Sequence, residues 1–175
     1  MSPLAPLTSE AQAMQWNEVT RLDLSGSRLL IKDAMTMLDT GVSEPEWPSV
    51  TCAPGEYVLE IYVPQPFNAH RVRIRKTGSS PETGNSIGEV SVDHAFVAFV
   101  DYESFLSAVR ADEEAYEEWT GMELDDELAV NFSGEIPFGD QKLVYVKSVG
   151  GDGVFPVFEL IEGDATVGME CVLVD

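Results

Sequence analysis

Four residues carry side chains that could bind or react: Asp93, His94, Asp101 and Asp152. Carboxylates from separate stretches, brought to one place, hold calcium or magnesium through oxygen. Carboxylates beside an imidazole also move protons in acid–base catalysis. Each residue has an ordinary local role as well. Asp101 stands just before a helical pattern, where an aspartate caps free backbone amides. Asp152 lies in Gly150-Gly151-Asp152-Gly153, where aspartate bonds nearby N–H groups and tolerates left-handed geometry. His94 has no serine or cysteine nucleophile motif beside it, so it reads first as a hydrogen-bonded histidine near the core. Two readings therefore compete. One is a ligand site, divalent-cation site or hydrolase using Asp93, Asp101 and Asp152 with His94. The other is four separate structural roles. EF-hand spacing is absent, and His70 and His94 are the only histidines. No catalytic set, metal centre or cofactor is assigned.

The second candidate surface is electrostatic. Ten Lys and Arg stand against 31 Asp and Glu, for a formal net charge of -21. Such a surface repels phosphates, which argues against nucleic acid, and speeds encounter with a basic protein. The excess is densest in residues 111–141, which hold eleven Asp or Glu and no Lys or Arg. The candidate partner-binding residues are Asp112, Glu113, Glu114, Glu117, Glu118, Glu123, Asp125, Asp126 and Glu127. A solvated helix face is the plainer reading of the same run. The one basic cluster, Arg71, Arg73 and Arg75, shares a strand face and is expected to be neutralised by acidic neighbours.

The elements that must position these residues follow from periodicity. Arg28–Lys32 predicts a short strand. Residues 40–55, rich in Gly and Pro, predict a loop, with Trp47 as a packing anchor. Glu56–Val63 and His70–Lys76 alternate as strands. Thr77–Ser86 reads as a polar loop or hairpin tip. Ile87–Val100 predicts one long central strand, bulged near Asp93-His94, because both faces become apolar. Tyr102, Phe105, Leu106 and Val109 recur at helical spacing after Asp101. A second helical turn is expected from Asp112 through Tyr116 and Trp119, with Gly121 as a stop. Leu128–Ile136 predicts a strand. Val144–Leu160 predicts a hairpin around its glycines, with Pro156 at a sheet edge or bulge. Thr166–Val174 predicts the last strand.

Three pieces in this order, Val92-Asp93-His94-Ala95, Asp101 at a helix start, and Gly151-Asp152-Gly153-Val154-Phe155-Pro156-Val157, resemble a bacterial domain family of unassigned activity. Its pattern is V-D-small-G, then D, then G-D-G-x-Y-P-V. The resemblance spans roughly residues 55–175 and implies a mostly β domain. It departs from the pattern at His94-Ala95 and at Phe155.

The expected fold is mainly β (α+β): an antiparallel β-sandwich or strongly bent sheet with one principal helix beside it. The chain fits a single domain, 1–175, with 1–15 as a flexible lead-in. Cys52 and Cys171 are too few for a disulfide framework and are expected as buried free thiols, one long-range bridge being the alternative. A signal peptide pattern and a membrane-spanning apolar run are both missing, so a cytoplasmic protein with no membrane partner is expected. The function expected is a non-enzymatic interaction module of the immunity or inhibitor type, binding a basic protein. Its alternative is the ligand, cation or hydrolase site above.

Overall fold

The computed structural model describes residues 15–36, 48–64, 69–148 and 150–173. The lead-in up to residue 14, Trp47 and Val174 lie outside these residues. Two antiparallel sheets make the frame. The first has the order β1-β4-β5-β11-β10-β6, from Trp16–Leu24, Gly55–Tyr62, Arg71–Lys76, Ala165–Val172, Gly153–Glu162 and Glu82–Val92. The second has the order β3-β2-β7-β9-β8, from Ser49–Thr51, Arg28–Asp33, Phe96–Asp101, Gln141–Lys147 and Ser133–Phe138. Helical segments α1 (Tyr102–Ala111), α2 (Glu113–Gly121) and α3 (Glu123–Val130) cover the outer face of the second sheet.

The order of layers explains the strand patterns. Leu29, Ile31, Val97, Phe99, Val144 and Val146 point from the second sheet into a core shared with Tyr57, Leu59, Val72, Ile74, Val157 and Met169 of the first. Their neighbours Leu30, Ala98, Val100, Leu143 and Tyr145 point the other way, against Phe105, Trp119, Leu124 and Leu128 of the helices. The second sheet is thus buried on both faces, which is why β7 is apolar from Phe96 to Val100.

Five expectations need correction. Val144–Leu160 is not a hairpin: β9 pairs with β7 and β8, whereas β10 pairs with β11 and β6 in the other sheet. The glycine run is a crossover, because both its flanks need burial but in different layers. The single strand expected over 87–100 is two strands for the same reason, since the chain leaves the first sheet after Val92 and enters the second at Phe96. Leu128 to Val130 belongs to α3, not to a strand: Leu124 and Leu128, four residues apart, both land on the helix-side core. Pro156 is not on an edge strand, since β10 lies between β11 and β6. It sits where the β11 ladder has not yet begun, its first pair being Val157 with Cys171, and beside a register shift. The missing N–H is therefore tolerated. The polar tip expected over 77–86 also ends early, because β6 starts at Glu82.

Cys52 and Cys171 are both buried and unbridged. Among the described residues no helix is long and apolar enough to cross a membrane.

Candidate functional site

Asp93, His94 and Asp152 meet at one corner, joined by a residue that sequence reasoning passed over. Asp33 ends β2 and is almost fully buried. Its carboxylate accepts hydrogen bonds from the backbone N–H groups of Met35, Asp93 and His94, at 2.9, 2.6 and 3.0 Å. The His94 ring nitrogen Nδ1 lies 3.2 Å from the same carboxylate. Asp152 accepts from Ala95 N at 3.1 Å, and Ser148 N donates to Ala95 O at 2.6 Å. Both crossings between the sheets, 93–95 and 148–153, are tied together here.

Ala95 has φ 62, in the left-handed region. Without a Cβ, glycine enters that region with little steric cost. The corner is therefore a device for changing sheets, built from two aspartates and one left-handed residue. Ser148 Oγ is buried there and, among the described residues, has no hydrogen-bond partner, the His94 ring included.

Asp101 does not join the other three. It caps α1, accepting from Ser104 N at 3.4 Å, and also holds the β1–β2 turn through Ser25 N and Gly26 N at 2.9 Å each. It stands at the far end of β7 from Ala95, six residues or about 20 Å away at the usual strand rise. A shared cation or acid–base site on Asp93, Asp101 and Asp152 is therefore ruled out by geometry. Among the described residues no three His, Cys, Asp or Glu side chains are grouped so as to hold a metal ion.

The basic strand face is closed by ion pairs. Glu60 meets Arg73 at 2.7 Å and Arg75 at 2.8 Å, and Glu170 meets Arg71 at 2.8 Å. Burial works hardest against the Glu60 charge, yet hydrogen bonds from Arg75 and Arg73 hold its carboxyl below the usual range. Each of the three arginines is thus paired with a carboxylate of the neighbouring strands.

The acidic run is the opposite case. Asp112 caps α2 through Ala115 N at 3.0 Å, and Glu127 takes bonds from Asn131 and Tyr145. Among the described residues none of the nine candidate carboxylates forms an ion pair with a cationic side chain. Tyr116, Trp119, Leu124 and Leu128 turn inward and anchor the segment. Although Met122 separates α2 from α3, Met122 N bonds Glu118 O at 3.1 Å and Asp126 N bonds Met122 O at 3.0 Å. The two segments therefore form one helix bent at Met122, whose φ −130 and ψ −69 are not helical, and Glu118, Met122, Asp126 and Val130 lie four apart as a row on its exposed side. Met122 is 60% exposed, Val130 74% and Phe132 73%; among the described residues Val154 is the other large exposed hydrophobic. The spacing of Leu124 and Leu128 held the signal for this helix, but Leu128–Ile136 also alternates plausibly as a strand. No family model, curated protein or solved structure matches the chain.

Proposed function

We propose that the protein is a non-enzymatic interaction module of the immunity or inhibitor type, whose α2–α3 face docks a basic protein. The observation that carries this reading is the exposed row Glu118, Met122, Asp126 and Val130. It places apolar side chains among carboxylates that form no ion pair with a cation among the described residues. Exposed apolar residues rimmed by charge mark interaction surfaces. Met122 and Val130 are about 12 Å apart at the helical rise of 1.5 Å, a span that fits two anchors on a partner segment. Complementary charge would steer the encounter and make it salt-dependent. Membership of the bacterial family that Val92–Ala95 and Gly151–Val157 resemble is part of the same proposal, as is a cytoplasmic location.

The test uses the full chain and two surface variants, Glu118→Lys/Asp126→Lys and Met122→Ser/Val130→Ser, as bait at 50 and 300 mM salt. A basic protein should be retained by the wild type at low salt, lost at high salt, and lost from both variants at unchanged thermal stability. Retention that is equal on all three baits, or no basic protein on any of them, overturns the reading.

A further inference from the structure

The crossing from β9 to β10 carries a chemically labile peptide. Asp152 is followed by Gly153, and the chain has no other Asp-Gly pair and no Asn-Gly pair. An aspartyl side chain can be attacked by the amide nitrogen of the next residue, which closes a five-membered ring. A Cβ on that next residue crowds the approach, and glycine has none. The fold leaves this pair room to meet. Asp152 is exposed, in a bend between Gly151 and the first residue of β10. Gly150 and Gly151 have nothing within 4 Å of the point where a Cβ would stand, and Gly151 takes φ 73. The β11 ladder begins only at Val157, so Gly153 to Pro156 pair with β6 alone. Among the described residues the Asp152 carboxylate is held by one exposed hydrogen bond, from Ala95 N at 3.1 Å, and water replaces such a bond at little cost.

We infer that Asp152-Gly153 is a self-modification site, where aspartate converts to isoaspartate through a succinimide. Gly153 N bonds to Cγ of the neutral Asp152 carboxyl. One carboxyl oxygen leaves as water, taking the carboxyl proton and the Gly153 N–H proton. Water then adds at the main-chain carbonyl carbon of Asp152, and the bond from that carbon to Gly153 N breaks. Water lost and water gained balance, so the product is an isomer of unchanged mass and water is the only co-reactant. The backbone now runs through Cβ and Cγ, longer by one carbon, and the free carboxylate sits directly on Cα. The tie from Asp152 to Ala95 N is lost. The ties from Asp33 to the Asp93 and His94 amides do not involve the altered residue and remain. Conversion therefore loosens one of the two fastenings of the corner and leaves the other.

The experiment ages the folded full chain at pH 6 and 37 °C for four weeks. The tryptic peptide that begins at Ser148 is then read by electron-transfer fragmentation, which tells isoaspartate from aspartate at equal mass. An isomer at position 152 should grow with time while the other aspartates stay unchanged. Asp152→Glu, which would have to close a six-membered ring, should form none. In the aged chain the Ala95 amide should exchange with solvent about threefold faster, as loss of one exposed hydrogen bond implies. The Asp93 and His94 amides should keep their rates. Isoaspartate that forms in the urea-unfolded chain but not in the folded one would mean that the fold locks the pair, and overturns the proposal. Isoaspartate spread over the other aspartates, or an Ala95 amide that exchanges as before, overturns it equally.

Discussion

Replacing Asp33 by alanine tests whether one buried carboxylate holds the corner where the chain changes sheets. The side chain accepts from three backbone N–H groups and faces one ring nitrogen. A hydrogen bond to a charged group is worth about 1.5–3 kcal/mol when its loss leaves a buried donor unsatisfied. Asp93 and His94 are exposed, so water recovers part of that loss at their amides and the low end applies. Asp33→Ala is therefore expected to cost about 3–4 kcal/mol. Asp152→Ala removes one exposed bond, to Ala95 N, and should cost about 0.5–1 kcal/mol. Urea unfolding followed by tryptophan fluorescence measures both, with the slope m checked for a common unfolded state. A domain of this size has about 5–15 kcal/mol of stability, so both variants should fold. If Asp33→Ala costs no more than Asp152→Ala, the carboxylate is not what fastens the two crossings, and the account of the corner fails.

Ala95→Gly should raise stability by about 0.5–1 kcal/mol in the same assay, because the left-handed backbone strains a Cβ; a loss would mean that the methyl packing outweighs the strain. Gly168→Ala should prevent folding or cost more than about 4 kcal/mol, since the added Cβ would stand 1.9 Å from Ile74 O. Gly150→Ala, with nothing within 4 Å, should be near neutral. Glu60→Gln should cost about 2–3 kcal/mol at pH 7 by leaving Arg73 and Arg75 short of a counter-charge. The arginines hold the Glu60 carboxyl below the ordinary glutamate range, so its contribution is present above that range and is lost as pH falls through the folded value. The cost of the substitution should shrink accordingly in acid, and a cost that grows there contradicts the pairing. Burial pushes the Cys171 and Cys52 thiols up, so a thiol reagent should label both only in denaturant; rapid labelling of the native chain refutes this.

Alternation in 56–63 and 70–76, the apolar faces of β7 and the helical spacing after Asp101 all follow from local periodicity. They were legible because each strand or helix face answers to the burial of its own residues. The same is true of the net charge and of the pairing of the basic strand, which any fold with 31 acids against ten bases would favour. What the chain could not reveal alone was which sheet each strand joins. Val92 and Phe96, or Val146 and Val154, have the same pattern whether the link between them is a bulge, a hairpin or a crossing. Only packing of two sheets and a helical layer decides it. Asp33 shows the point most plainly: it follows an apolar strand as an ordinary turn residue would, and its partners lie 60 and 61 residues away. Asp101 caps α1 as its place before a helical pattern implies, whereas its distance from Asp152 is set by β7 running as a strand between them. Periodicity reports which way a side chain must face; which distant backbone comes to meet it is set by the tertiary fold.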